Sequence, residues 1–190
     1  DNILNEQQIN DLINHCKNDC NHIDGQVGNR VNLNQKKRKD IFIKNTRYIE
    51  FLDHNVFEKI YEEMKEVFDI EIKYRELWKV GYYTGNEKSF YNIHTDDAGD
   101  TKYRKLSLVL MLSDKTDYEG GEFYFPNLNI NLKLNKGSLI IFNSELLHGV
   151  KEVISGERYT LISFMFDNNG KEIKEKLNVR ANINNYIPYL

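Results

Sequence analysis

Residues 76–166 restrict the fold most strongly, because short extended runs alternate there with turn signals. Candidate strands occupy 76–84, 89–96, 105–113, 121–126, 129–134, 137–142, 148–153 and 157–166. Turn sequences separate them, among them Thr84-Gly85-Asn86, Glu119-Gly120-Gly121, Asn135-Lys136-Gly137 and Ser155-Gly156. Many short strands with regular turns are typical of sandwiches and jelly rolls. The sequence therefore predicts a mainly β protein with flanking helices, built on a double-stranded β-helix (jelly roll).

Two of these strands are apolar on both faces. In 105–113, one face carries Leu106, Leu108, Leu110 and Leu112, and the other carries Ser107, Val109 and Met111. In 157–166, Tyr159, Leu161, Ser163 and Met165 oppose Arg158, Thr160, Ile162 and Phe164. A sheet whose two faces are both apolar must be covered on both sides. We therefore expect another layer to cover the outer face of this sheet.

Two amphipathic segments before the β region can supply that layer. Apolar residues recur at helical spacing in 5–18, where Asn5 is a candidate N-cap, and in 55–68, where Asn55 and Glu58 resemble a capping box. The sequence thus predicts an N-terminal helical layer packed on the major sheet of a single domain, residues 1–190. Helical support covers about 1–75, the jelly-roll core about 76–166, and an apolar C-terminal tail, 167–190, docks on the rest.

Composition excludes several classes of protein. A net charge of −3 in 190 residues gives no basic footprint for nucleic acid. No apolar run approaches the roughly 20 residues of a membrane helix. We expect a cytoplasmic or otherwise soluble protein, although the first residue, Asp1, leaves room for a trimmed leader. The sequence leaves the oligomeric state open.

Two smaller features have plain interpretations. Cys16 and Cys20 lie four residues apart on the first predicted helix, and we expect both thiols to be reduced and one of them to face the core. A zinc site with His15 and His22 is the alternative, although the spacing of these residues matches no usual zinc pattern. The basic run 36–39 is expected to be a solvated loop. Its alternatives are an acidic-ligand site and a mobile lid that contacts acceptor peptides.

Polar residues stand out at three points of the β region. His94 and Asp96 are two apart and point the same way if the segment is extended, and His148 opens a later strand. Two histidines and one carboxylate with open positions form the facial triad of non-haem Fe(II) oxygenases. Arg158 and Thr160 share a strand face and suit the far carboxylate of 2-oxoglutarate. The remaining histidines, His15, His22 and His54, are expected to be surface or structural residues.

An ordered series of motifs carries a resemblance to a known family. They are Tyr83-Thr84-Gly85, Tyr91-Asn92-Ile93-His94-Thr95-Asp96, Lys105 through Ser113, Gly120-Gly121-Glu122-Phe123, Gly137-Ser138-Leu139-Ile140-Ile141-Phe142, His148-Gly149-Val150 and Gly156-Glu157-Arg158. Over roughly residues 30–166 the chain resembles the prolyl 4-hydroxylase-type branch of the Fe(II)/2-oxoglutarate oxygenases, including its PKHD-type hydroxylases. The resemblance implies His94, Asp96 and His148 as iron ligands and Arg158 as the residue that binds the distal carboxylate of 2-oxoglutarate.

Some positions depart from the family pattern. Thr160 stands where relatives commonly have serine, and Met111 stands where many have a tyrosine that helps to hold 2-oxoglutarate. Ser107 keeps a hydroxyl where relatives often have threonine. Tyr83 and Tyr91 match family tyrosines that line the site, although both could equally be ordinary barrel aromatics. We therefore expect 2-oxoglutarate to contact Arg158, Thr160, Ser107 and Tyr83, and assign Tyr91 and Met111 to the substrate pocket.

The resemblance also implies a reaction. A procollagen-proline 4-dioxygenase-like enzyme would use Fe(2+), 2-oxoglutarate and O2, with ascorbate as reductant, and would form succinate and CO2 while it hydroxylates an acceptor. Prolyl residues of a peptide or protein are the first choice. A free amino acid or other small molecule, and a catalytically silent jelly-roll metal-binding module, are the alternatives. A nucleic-acid demethylase is disfavoured, because Phe164 stands where that branch has a second arginine.

Overall fold

The computed structural model describes residues 2–27, 30–177 and 186–188, the last of these as backbone only. The helices are α1 (Glu6–Asp19), α2 (Thr46–Leu52), α3 (Glu58–Phe68) and α4 (Asn168–Leu177), with a π-helical turn (Asp53–Phe57) between α2 and α3. The strands up to the first candidate metal ligand are β1 (His22–Asp24), β2 (Gln26–Val27), β3 (Arg30–Val31), β4 (Lys36–Lys37), β5 (Lys39–Phe42), β6 (Tyr74–Glu76), β7 (Lys79–Thr84) and β8 (Phe90–His94). The later strands are β9 (Leu106–Met111), β10 (Tyr118–Gly120), β11 (Phe123–Phe125), β12 (Ile130–Leu132), β13 (Leu139–Asn143), β14 (His148–Val150), β15 (Val153–Phe166) and β16 (Tyr186–Pro188).

Two antiparallel sheets form the body of the protein. The major sheet has nine strands, in the order β1-β5-β7-β15-β6-β16, with β9 and β10 also paired to β15 and β13 paired to β9. The minor sheet has five, in the order β12-β11-β14-β8-β4. The 14-residue strand β15 runs through the centre of the major sheet and pairs with β6, β7, β9 and β10. This arrangement confirms the predicted jelly roll.

The outer face of the major sheet is covered by the N-terminal helices, as the apolar strands predicted. One core cluster joins Leu106, Leu108, Leu110, Leu161 and Met165 of the sheet to Ile9, Leu12 and Cys16 of α1 and to Leu52, Val56, Phe57, Ile60 and Met64 farther along. Asp53, in the π-helical turn, ties this layer to the sheet, because its carboxylate accepts hydrogen bonds from Arg75 and from the Trp78 indole. Both cysteines are free, and burial raises the pKa of the Cys16 thiol to about 12.

The inner face of the major sheet packs against the minor sheet. A second cluster joins Val109, Met111, Ile162 and Phe164 of the major sheet to Phe123, Phe125 and Val150 of the minor sheet. Alternate residues of β9 and β15 thus enter different clusters, as side-chain alternation along a strand requires. The space between the sheets is where the candidate functional residues lie.

The structure corrects the second predicted helix. Helical structure begins at Thr46 and not at Asn55, because the Asn45 side chain caps the Arg47 N–H. The Asn55 side-chain amide instead donates to the Phe51 carbonyl, so Asn55 and Glu58 form no capping box. A capping sequence in the middle of a helix cannot be told from a true start by composition alone.

The N-terminal third contributes strands as well as helices. β1 and β5 extend the major sheet and β4 extends the minor sheet, although the sequence predicted helical support alone before residue 76. These strands are short, with two to four residues each, so they give little periodic signal. Of the predicted docking tail, residues 186–188 pair with β6, and residues 178–185 and 189–190 lie outside the described residues. No helix in the described parts of the chain is both long and apolar enough to span a membrane.

Candidate metal and cosubstrate site

His94, Asp96 and His148 meet at one end of the space between the sheets. His94 ends β8 and His148 begins β14, and the two residues are paired neighbours in the minor sheet. Asp96 lies two residues beyond β8, where its N–H donates to the Ser144 carbonyl over 2.8 Å. Its carboxylate oxygens lie 3.5 Å from His94 Nε2 and 3.3 Å from His148 Nε2. The donor atoms lie within 4.8 Å of one another, so the three residues could hold one metal ion.

Both imidazoles are oriented for metal binding by the main chain. His94 Nδ1 lies 2.8 Å from the Asn92 carbonyl, and His148 Nδ1 lies 2.8 Å from the Leu146 carbonyl. A carbonyl only accepts hydrogen bonds, so each Nδ1 carries a proton. Each Nε2 faces Asp96: it donates to the carboxylate while it is protonated, and it offers a lone pair to a metal once that proton is lost. Two aromatic rings also hold the imidazoles in place. The Tyr91 ring stacks on that of His94 with 3.6 Å between centroids, and the Phe123 ring stacks on that of His148 with 5.2 Å between centroids.

The surroundings of Asp96 keep its carboxylate ionised. Burial alone would raise its pKa, but the hydrogen bonds and charges of His148 and His94 hold the pKa well below its usual range. Ser107 donates to Asp96 Oδ2 over 2.7 Å and is itself 2.9 Å from the Ser144 hydroxyl. Burial lowers the pKa of His94, which favours the neutral, metal-binding imidazole. Two imidazole nitrogens and one anionic oxygen suit Fe(II).

Arg158 lies at the other end of the same space. Its side chain is 2% exposed, and its Nε and Nη1 have no hydrogen-bond partner among the described residues. Leaving a buried guanidinium uncompensated costs several kcal/mol, roughly 3–5. Thr160, on the same face of β15, is also buried. These orphaned donors fit an anionic group such as the distal carboxylate of 2-oxoglutarate, which a guanidinium can bind in bidentate fashion.

The other predicted site residues divide between the two ends. Tyr83 is paired with Arg158 across β7 and β15, and the Arg158 guanidinium lies 5.0 Å from its ring centroid. Met111 is paired with Thr160, so it also lies at the arginine end. Tyr91 lies at the metal end, against His94. Ser107 lies at the metal end too, where it supports Asp96; a contact between Ser107 and 2-oxoglutarate stays a prediction.

The basic run 36–39 is not a solvated loop, which corrects the sequence prediction. Lys36, Arg38 and Asp40 are 2%, 6% and 4% exposed, and they lie where the chain passes from β4 in the minor sheet to β5 in the major sheet. The Asp40 carboxylate accepts from Lys36 Nζ and from Arg38 Nε, each over 2.7 Å. Arg38 Nη1 donates to the Tyr83 hydroxyl over 2.6 Å. Lys36 and Arg38 of this run therefore line the cavity between the sheets.

The buried ionic group of Lys36, Arg38 and Asp40 supports a prediction about stability. Asp40→Asn keeps the shape of the side chain but removes the anion that Lys36 and Arg38 share, and Arg38 cannot lose its proton. We expect the free energy of unfolding to fall by about 3–5 kcal/mol, as measured by urea denaturation. Asp24→Asn is the control, because Asp24 binds Lys39 of the same run at the surface, where such a pair is worth about 0–1 kcal/mol. Equal losses in the two variants would contradict the prediction.

A cavity of about 720 Å³ connects the two ends and is rich in charge. Its basic lining residues are Lys36, Arg38, Lys79, Arg104, Arg158 and Lys174, and its acidic ones are Asp40, Glu76, Asp96 and Asp100. Of these residues, only Asp96 and Arg158 are predicted as site residues from the sequence. The alternation of Lys36, Arg38 and Asp40 at every second position was the available signal, because it is typical of one face of a strand.

Comparison with known proteins agrees with this geometry. Residues 78–166 match the model of the 2OG-Fe(II) oxygenase superfamily. A PKHD-type hydroxylase of Crocosphaera subtropica is 26% identical over 171 residues, which cover 87% of this chain and 76% of the relative. Further PKHD-type relatives match over shorter segments that span less than half of those proteins.

Two solved structures share the fold. The viral collagen prolyl hydroxylase of Paramecium Bursaria Chlorella virus-1, solved with 2OG, is 23% identical with a TM-score of 0.66, over 87% of this chain and 92% of that one. A Trichoplax adhaerens prolyl hydroxylase, solved with a hypoxia inducible factor peptide fragment, is 22% identical with a TM-score of 0.67, over 88% of this chain and 78% of that one. The family match and the relatives agree: residues 78–166 are similar to the 2OG-Fe(II) oxygenases, and most of the chain is similar to a PKHD-type hydroxylase.

Proposed function

We propose that this enzyme hydroxylates prolyl residues in peptides or proteins and couples this to the oxidative decarboxylation of 2-oxoglutarate. One observation carries the proposal: a possible metal site and two orphaned guanidinium N–H groups line the same cavity. A dicarboxylic cosubstrate that reaches from one to the other would satisfy both. A catalytically silent metal-binding module would have no use for unpaired buried donors.

Each residue has a defined part in this proposal. His94, Asp96 and His148 would hold the metal, and Ser107 would fix the Asp96 carboxylate. Arg158, with Thr160 beside it, would bind the distal carboxylate of 2-oxoglutarate, and Tyr83 would form the wall next to it. When bound, Fe(II) supplies the activation of O2 that converts 2-oxoglutarate to succinate and CO2 and hydroxylates the acceptor. Phe123, Phe125 and Phe142 around His148 keep this end apolar, which limits the access of water.

The acceptor class rests on likeness to other proteins. The relatives are PKHD-type hydroxylases, the structures with the same fold include prolyl hydroxylases, and one of these was solved with a peptide. A cavity that opens between two sheets and has charged walls can accept an extended chain segment. We therefore propose a peptide or protein acceptor, with ascorbate as the reductant that maintains Fe(II).

The proposal is tested by mass spectrometry on a panel of proline-rich peptides incubated with the enzyme, Fe(II), 2-oxoglutarate, O2 and ascorbate. We expect one oxygen atom to be added to proline and succinate to form in proportion. Succinate without any modified peptide would exclude the prolyl assignment while leaving the oxygenase assignment intact. A panel of free amino acids run in parallel would then reveal a small-molecule acceptor.

A further inference from the structure

Lys79 is a cation in the cavity wall that the chemistry described so far does not use. It begins β7 on the same face as Gly81 and Tyr83, and its Nζ lies 4.6 Å from the Phe164 ring centroid. No hydrogen bond or ion pair joins its ammonium to any residue in the described parts of the chain. Burial lowers its pKa, so the position is unfavourable for an ammonium unless an anion joins it.

The two carboxylates that interact electrostatically with Lys79, Asp40 and Glu76, already have partners. Asp40 is shared by Lys36 and Arg38, and Glu76 accepts from Arg104 and from the Tyr103 hydroxyl. Lys79 is therefore an additional cation beside these pairs, and basic residues outnumber acidic ones by six to four in the lining of the whole cavity. Inside a cavity such an excess of positive charge attracts anionic ligands, because screening by solvent is weak there.

The position of Lys79 shows which ligand could meet it. Lys79 is paired with Ile162, whereas Tyr83 is paired with Arg158, so the two positions are four residues or about 13 Å apart along β7. The next inward residue of β15 is Phe164, which is paired with Ser107, the residue that bonds Asp96. Lys79 thus lies toward the metal end, away from the arginine that suits the far carboxylate of 2-oxoglutarate.

We propose that Lys79 selects an acceptor that carries a carboxylate close to the hydroxylated residue, that is, an acidic peptide segment. The proposal rests on the proposed function, because it refines the acceptor of that same site. The Lys79 ammonium binds an Asp or Glu side chain of the acceptor, and the apolar ring of Phe164 beside it strengthens the pair by excluding water.

The test compares two peptides that differ only in charge. Both contain proline; in one it is flanked on each side by Glu and in the other by Gln. Binding to the full chain loaded with Fe(II) and 2-oxoglutarate is measured without O2 by calorimetry, and hydroxylation is measured separately. We expect the Glu peptide to bind about 10- to 100-fold more tightly, as one charge-assisted contact allows. Lys79→Met should remove this preference, and Lys79→Arg should keep part of it.

Lys65→Met is the matched control, because Lys65 is exposed on α3, and it should keep the full preference. Hydroxylation with equal binding of the two peptides, or a preference that survives in Lys79→Met, would overturn the inference and leave the proposed function standing. Loss of 2-oxoglutarate affinity in Lys79→Met would also overturn it, since it would place Lys79 at the cosubstrate. If neither peptide binds or is hydroxylated, the prolyl function fails and the inference fails with it.

Discussion

Replacing His148 by Ala should abolish metal binding and turnover. His148 Nε2 lies 3.3 Å from Asp96 Oδ2, and removing it leaves only His94 and Asp96 of the three candidate ligands. Substitutions of groups that merely support a ligand cost roughly 10–100-fold in metal affinity, so losing a ligand should cost more than about 100-fold. Metal content per chain, measured after dialysis against a weak chelator, checks this expectation.

Two further variants make this test specific. Ser107→Ala keeps all three candidate ligands but removes the hydrogen bond to Asp96, together with the one to the Ser144 hydroxyl, and we expect it to weaken metal binding by roughly 10–100-fold. His54→Ala removes an exposed histidine that pairs with Glu58 on the helical layer, and it should bind metal normally. Circular dichroism verifies that each variant keeps its fold. Full metal occupancy in the His94→Ala/His148→Ala double variant would show that the metal lies elsewhere.

The jelly roll could be predicted from the sequence because its strands have a strict period. Ser107 and Leu108 are neighbours, yet the first enters the site and the second enters the core under α1. Successive side chains of a strand point to opposite faces, so this difference between the two residues could be predicted from their positions alone. The same alternation showed that the outer face is apolar and must be covered by another layer. The candidate metal residues were predictable for a related reason, because His94, Asp96 and His148 occur at strand ends, where side chains can converge.

The wall opposite these residues was not predictable from composition. Lys36 and Arg38 are charged residues in a basic run, and such runs are usually solvated. They can be buried because the Asp40 carboxylate accepts a hydrogen bond from each of them. The chain also crosses from the minor to the major sheet at this point, which places all three side chains between the sheets. Burial of charge depends on partners brought together by the fold. Only the alternation of the three residues was visible beforehand.

Arg158→Met should reduce the affinity for 2-oxoglutarate by roughly two to four orders of magnitude. Two N–H groups of Arg158, Nε and Nη1, lack partners among the described residues and are free to bind one carboxylate. Each charge-assisted hydrogen bond is worth about 1.5–3 kcal/mol, and each 1.4 kcal/mol changes affinity about tenfold. Binding measured by calorimetry on the metal-loaded protein, without O2, tests the loss directly. Arg158→Lys should recover only part of the affinity, because an ammonium keeps the charge but not the planar pair of donors.

The same substitution should leave two other properties intact, and this distinguishes a ligand-binding arginine from a structural one. Metal affinity should stay near that of the unchanged chain, because Arg158 lies six residues along β15 from Phe164, which is paired with Ser107, the residue that bonds Asp96. Stability without 2-oxoglutarate should be equal or higher, because methionine removes a buried charge with unsatisfied donors. Asp40→Asn should instead lower the stability, because the Asp40 carboxylate is paired with Lys36 and Arg38 within the protein. An Arg158→Met chain that binds 2-oxoglutarate normally would exclude Arg158 as the anchor; Arg38, 2.6 Å from the Tyr83 hydroxyl, would then be the cation to test.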